Sequence, residues 1–206
     1  MPRPKKEPEP TKLICDFVGG AVGHRFRHDA GRGHGLPKAI GFKAGKDIKV
    51  VDATPGLGRD AFMLASLGVE VTMIERSPQM HTLLKDAMAR AREAGPEYAE
   101  VMDRMTLIHG DSIALLPTLD AEIILVDPMH PPRRKSSLVK NEMRVLREIV
   151  GTDDDSATLM KVALESASKR VVLKWPLRGE AMEGIRGPSH QLKGKSTRYD
   201  VFMLGG

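Results

Sequence analysis

The chain has 206 residues, 41% of them apolar and 29% charged, which is ordinary for a folded protein and enough for one well-buried α/β domain. A single cysteine, Cys15, excludes an internal disulfide and a cysteine-rich zinc site, so a reducing cytoplasm and no metal are expected, and no apolar run approaches the roughly 20 residues that span a bilayer. The 32 Lys and Arg against 27 Asp and Glu leave +5, which permits an acidic partner without proving one.

Residues 1–12 are rich in proline and charge and lack an apolar h-region, so they are expected to form a disordered tail rather than a secretory signal. Residues 13–46 form a basic, glycine-rich segment. Within it, the run from His24 to Gly35 mixes glycines with cations and suits either a lid over a bound ligand or a plain linker. From Asp47 onward, strand-like runs at 48–52, 70–75, 105–109, 122–127 and 170–174 alternate with helical patterns at 58–67, 78–93, 137–149 and 155–168, with a short turn near 112–116. Such alternation predicts parallel strands joined by crossover helices. Ser77-Pro78 reads as a helix start and Gly95-Pro96 as a stop. Two last strands, 188–194 and 197–204, are separated only by Lys195-Ser196, which predicts a hairpin and an antiparallel strand on an otherwise parallel sheet.

The most informative segment is Val50-Val51-Asp52-Ala53-Thr54-Pro55-Gly56-Leu57-Gly58-Arg59-Asp60-Ala61. It reads as a buried strand, a glycine turn and a helix start. Gly56 and Gly58 let the backbone turn tightly and approach a ligand, and the helix that follows points free N–H groups at the same place. Glu75 ends the next strand 19 positions after Gly56, the spacing at which a carboxylate reaches ribose hydroxyls. Gly56-x-Gly58-x-x-Ala61 also satisfies a relaxed NAD-binding pattern, and a noncatalytic glycine turn is a third reading. Asp52, on the strand itself, favours a ligand with a cationic amino-acid group such as S-adenosylmethionine, because a pyrophosphate would be repelled. A further strand from Glu122 ends in Asp127-Pro128, the position at which methyltransferases acting on exocyclic amines carry an Asp/Asn-Pro-Pro-aromatic motif. Five parallel strands with a terminal hairpin also match the Rossmann-like fold of S-adenosylmethionine-dependent methyltransferases, a mostly parallel seven-stranded α/β sheet.

On these residues the chain resembles the ribosomal small-subunit RNA guanine-N2 methyltransferase J family. The resemblance runs from about Asp16 to the C-terminus. It is carried by Asp16-Phe17-Val18, Gly31-Arg32-Gly33, Val51-Asp52-Ala53-Thr54, Gly56-Leu57-Gly58-Arg59-Asp60-Ala61-Phe62, Asp127-Pro128-Met129 and Lys140-Asn141-Glu142-Met143-Arg144-Val145. It implies a cytoplasmic enzyme that methylates N2 of one guanosine in 16S ribosomal RNA, a methyltransferase domain over 47–206, and cofactor contacts at Arg59-Asp60, Glu75-Arg76, Asp111-Ser112 and Asp127. Pro55 and His130 depart from the family, which commonly has a small residue and Phe there.

Several of these residues have a structural alternative. Asp60 also complements a helix dipole, Asp111 also suits a helix N-cap, and Arg76 could stack on adenine or face solvent. His109, on an apolar strand, is expected in the core. Asp127 is the expected catalytic group, since an acceptor that holds a delocalised guanine amine aids its attack on a methyl. Pro128 stiffens that loop, and His130 could stack on an extruded base. Arg133, Arg134 and Lys135 lead to Lys140, Arg144 and Arg147, which recur at i, i+4 and i+7 on one helical face; with Arg25, Arg27 and Arg32 they form the candidate RNA-binding set, for rRNA or the small subunit.

Overall fold

The computed structural model describes residues 13–28, 35–128 and 155–205. Its centre is one seven-stranded sheet in the order β3-β2-β1-β4-β5-β7-β6. The strands are β1 (Lys49–Asp52), β2 (Glu70–Glu75), β3 (Met105–His109), β4 (Ala121–Val126), β5 (Ala167–Pro176), β6 (His190–Lys193) and β7 (Thr197–Met203). The first five run parallel, and β7 pairs antiparallel with both β5 and β6. The predicted sheet class and terminal hairpin are therefore what the chain adopts. Parallel strands are covered on both faces, which is why Val50, Ile124, Leu125, Val171 and Val172 form continuous apolar runs and are almost fully buried.

The helices are α1 (Gly20–His28), α2 (Gly35–Ile40), α3 (Arg59–Ser66), α4 (Pro78–Ala94), α5 (Pro96–Asp103), α6 (Ser112–Leu115) and α7 (Ser156–Ser166), with a 3-10 turn over Leu116–Thr118. In α4, Ser77 Oγ accepts from Met80 N at 3.3 Å, Pro78 opens the first turn, and Met80, Leu84, Ala87 and Ala91 form its buried stripe. Gly95-Pro96 ends α4 as expected but also starts α5, because proline is as well suited to a first helical turn as to a stop. The helix expected over 137–149 lies outside the described residues.

Two apolar layers flank the sheet, one built on α2 to α5 and the other on α6 and α7. Leu13, Cys15 and Phe17 belong to the first. Phe17 stacks on Phe62 with ring centroids 5.0 Å apart, Phe26 meets Phe62 and Tyr98, and Arg90 donates to the Cys15 carbonyl at 2.6 Å. The described part of the N-terminal segment thus shares its core with the sheet. Truncating Phe17 to Ala would cost about 3–5 kcal/mol, as for a buried aromatic.

The path of the chain places a crevice. From β1 it moves outward through β2 to β3, then returns beside β1 as β4 and continues the other way. Such a reversal leaves an opening at the carboxyl ends of the central strands. Asp52, Glu75 and Asp127 all lie at that edge.

Candidate active site

The turn after β1 depends on its glycines for two different reasons. Gly56 and Gly58 have φ of 51° and 71°, left-handed values that disfavour side chains. A Cβ on Gly58 would lie 2.9 Å from both Leu84 and Phe17, so this glycine lets α3 sit against the core. A Cβ on Gly56 would meet nothing within 4 Å among the described residues beyond its chain neighbours, so among these residues that side of the turn is left open to a ligand. Gly58, the N-cap of α3, brings no side chain to cap the helix start. The helix therefore offers backbone N–H groups at the crevice.

The acidic residues around this turn differ in what they do. Asp52 is 2% exposed, and its carboxyl accepts from Thr54 N at 3.1 Å. Burial first, then the like charges of Asp60 and Asp127, push it up to about 8 against the pull of Thr54 N–H and Lys174. Glu75 is also buried and accepts from Ser77 N at 2.7 Å, which fixes its carboxylate at the end of β2. Asp111 caps α6 through Ile113 N at 2.9 Å, and Ser112 Oγ donates to the Ala53 carbonyl at 2.8 Å. The second bond ties the β3 loop to the segment that leads into the glycine turn. Arg76 pairs with Asp155 at 2.6 Å.

At the end of β4, Asp127 N donates to Thr54 Oγ1 at 2.6 Å, locking this loop to the one after β1. The Asp127 carboxylate meets Lys174 Nζ at 2.7 Å, and the same ammonium lies 2.7 Å from Asp60. Burial alone would lower the Lys174 ammonium, but Asp60 and Asp127 outweigh it and raise it. Lys174 was missed in the sequence. A lysine closing the apolar run Val171-Val172-Leu173 was the available signal. Its cross-strand neighbour on β7 is Tyr199.

A cleft of about 320 Å³ opens beside this cluster, between α1 and α3, and reaches Asp60 and Tyr199. Arg25 faces it. Arg27 instead donates to the Val18 carbonyl at 3.0 Å and the Tyr98 hydroxyl at 2.9 Å, so its guanidinium is engaged within the fold. His109 corrects the sequence reading: it is exposed at the end of the edge strand β3, 5.0 Å from the His81 ring, because the last residue of a strand escapes the covering helices. His130, Arg32, Arg133, Arg134, Lys135, Lys140, Arg144 and Arg147 lie outside the described residues.

Comparison with known proteins resolves the choice between cofactors. Residues 3–204 match the SAM_MT family of SAM-dependent methyltransferases. Ribosomal RNA small subunit methyltransferase J of Agrobacterium fabrum is 65% identical over 94% of this chain and 93% of its own length. The chain belongs to the methyltransferase J family. Its likeness extends to the Shewanella amazonensis relative, 45% identical over 97% of this chain and 81% of that protein. A crystal structure of a SAM-dependent methyltransferase from Neisseria gonorrhoeae is 36% identical, superposes with a TM-score of 0.72, and is matched over 94% of this chain and 75% of that one.

The cofactor of this methyltransferase J family member is S-adenosylmethionine. The residues fit it: a glycine turn open on one side, an uncapped helix start, a buried carboxylate at Glu75 and an acidic group at Asp52. When bound, it supplies a methyl group on a positively charged sulfur, already activated toward a nucleophile.

Proposed function

We propose that this chain methylates the exocyclic N2 of one guanosine in 16S ribosomal RNA, acting in the cytoplasm on the RNA or the small subunit. The observation that carries the reading is the placement of Asp127-Pro128 at the carboxyl end of β4, beside the glycine turn, with the carboxylate held by Lys174 and its own N–H held by Thr54. Among the described residues no helix is long and apolar enough to cross a membrane.

A guanine N2 amine is a weak nucleophile because its lone pair is delocalised into the ring. Asp127, held from two sides, accepts one N2–H and turns the amine toward the donor; it offsets the positive charge that develops on nitrogen as the N–C bond forms and the methyl group's bond to sulfur breaks, and its carboxylate then takes the surplus N2 proton. Pro128 brings no N–H of its own, which leaves acceptors rather than a competing donor around the amine. Glu75 holds the ribose of the donor and Asp52 its cationic amino-acid end; Gly56, Gly58, Arg59 and Asp60 form the turn beneath it, and Arg76, Asp111 and Ser112 line the adenine side. His130 stacks on the base, and the stripe from Arg133 to Arg147, with Arg25 and Arg32, follows the phosphates.

The test is transfer of labelled methyl to 16S RNA, both free and in small subunits, followed by nucleoside analysis. N2-methylguanosine as the labelled product is the expected result. Label in N6-methyladenosine, or in a protein glutamine, would move the substrate while leaving the fold and cofactor in place.

A further inference from the structure

The cleft next to the active site has a lining whose polarity matches one base edge. It is bounded by Ala21, Arg25 and Phe26 on α1, Arg59 and Asp60 on α3, and Tyr199 on β7. Its volume of about 320 Å³ is at the small end of ligand sites, which run to ~300–1,000 Å³, and suits one nucleotide rather than a folded RNA element. One ammonium joins its inner end to the reaction centre, since Lys174 Nζ is 2.7 Å from both Asp60 and Asp127.

Tyr199 stands at this inner end. A Cβ on Gly35 would lie 2.7 Å from the Tyr199 ring, so α2 rests directly against the ring and fixes it. Among the described residues its hydroxyl has no hydrogen-bond partner, although the side chain is half-buried. Burial, with Asp60 and Asp127 adding to it and Lys174 opposing, pushes the phenol up to about 12, so it is an O–H donor at any working pH. One donor thus stands beside a pair of carboxylate acceptors. Guanine presents the complement: O6 accepts, and N1–H and N2–H donate. Adenine presents the reverse order, an N6 donor beside an N1 acceptor.

We propose that this cleft seats the target guanosine, with the Tyr199 hydroxyl donating to O6 and the Asp60–Lys174–Asp127 cluster receiving the N1–H and N2–H edge. Arg25, which makes no hydrogen bond or ion pair among the described residues, faces the flanking phosphate. Tyr199 is then a specificity-determining residue, and guanine is distinguished from adenine at the same place where Asp127 holds the amine. The proposal rests on the guanine-N2 reading above.

The test pairs one substrate atom with one protein atom. The methylated guanosine is first located with the wild-type enzyme, and RNA carrying 6-thioguanosine there, which keeps N1–H and N2–H but accepts poorly at position 6, is compared with unmodified RNA. Affinity is measured with S-adenosylhomocysteine bound. Wild type should lose about tenfold on thio-substitution and Tyr199→Phe about tenfold on unmodified RNA, the scale of one hydrogen bond. The two losses should not add, because both remove the same bond. Tyr199→Phe keeps the ring against Gly35, so its melting temperature and S-adenosylhomocysteine affinity should stay at wild-type values. Ala21→Trp, on the exposed face of α1, should fill the cleft and weaken both RNAs alike. Indifference of the wild type to thio-substitution, or losses that add in full, would overturn the assignment while N2-methylguanosine formation by the wild type kept the proposed function intact. A wild-type product other than N2-methylguanosine would overturn both.

Discussion

Asp52→Asn should make the protein more stable at alkaline pH and a poorer binder of its methyl donor. The carboxyl is 2% exposed and is pushed up from 3.8 to about 8, chiefly by burial and then by Asp60 and Asp127. Below the lower value both folded and unfolded chains hold the proton. Between the two values only the folded chain holds it, so stability falls as pH rises, and the loss is complete above about 8. At ~1.4 kcal/mol per unit, a shift of this size corresponds to at most about 6 kcal/mol, a sizeable part of a domain's total. Asparagine keeps an oxygen for Thr54 N–H and never ionises, so it should lose this slope and gain at least about 1 kcal/mol at pH 8.5. Donor binding should move the other way, because the sulfonium and ammonium of S-adenosylmethionine favour an ionised Asp52. Wild-type affinity should therefore rise from pH 6.5 to 8.5 with proton release, and the variant should be weaker and flatter. Urea unfolding at pH 5.5 and 8.5 gives the first quantity, and calorimetry in buffers of different ionisation enthalpy gives the second. Destabilisation of the variant at pH 8.5, or a wild-type pH slope retained in it, would refute the reasoning.

Asp127→Ala should lower kcat by about 10²-fold or more while donor affinity changes little, as when one preorganised polar group is lost, and Asn should keep part of the activity; near-normal labelled-methyl transfer by the Ala variant would remove Asp127 from the chemistry. Lys174→Met should leave the Asp60 and Asp127 carboxylates facing one another without a cation, lowering both melting temperature and kcat, whereas Lys174→Arg should restore much of the stability; equal melting temperatures for wild type and Met would show that the ion pairs stabilise nothing. Replacing Arg133, Arg134, Lys135, Lys140, Arg144 and Arg147 by Gln should flatten the log–log dependence of RNA affinity on salt by about one unit for each true phosphate contact, and an unchanged slope would place the RNA face elsewhere.

The sheet was legible in the sequence because parallel strands buried on both faces leave unbroken apolar runs, and the hairpin because only a short polar turn, Gly194-Lys195-Ser196, separates its strands. The N-terminal helices were not. In α1 the sequence Gly-Ala-Val-Gly-His-Arg-Phe-Arg-His has two glycines and four cationic or imidazole groups and buries only Gly23, so no apolar stripe announces it. α2 has six residues and a proline inside it, and it forms because Leu36, Ala39 and Ile40 bury completely against the sheet layer. Tertiary packing supplies what periodicity lacks in such short helices. In the site, Asp52, Glu75 and Asp127 could be read from their places at strand ends. Lys174 shows in the sequence only as a lysine closing an apolar run; its role does not, because that comes from being between Asp60 and Asp127, which are 67 positions apart in the chain and meet only through the sheet order.

That lysine also marks where the two substrates must be kept electrically apart. The donor is cationic and the RNA is a polyanion, so the site needs a negative interior and a positive approach within a few ångströms of one another. Asp52, Asp60, Glu75 and Asp127 supply the interior, and a chain of net charge +5 leaves the excess of cations for its outer surface. Unbalanced, three neighbouring aspartates would repel one another and drive protons onto themselves, as Asp52 already shows. Lys174 pairs with two of them through a single ammonium, which on the proposed mechanism supports Asp127 as the acceptor for the amine, while Asp52, raised by burial, is the group whose proton a cationic donor should displace. Donor binding should then draw the proton off Asp52 without disturbing Asp127, so that loading the cofactor and holding the base become separate electrostatic events at adjacent carboxylates.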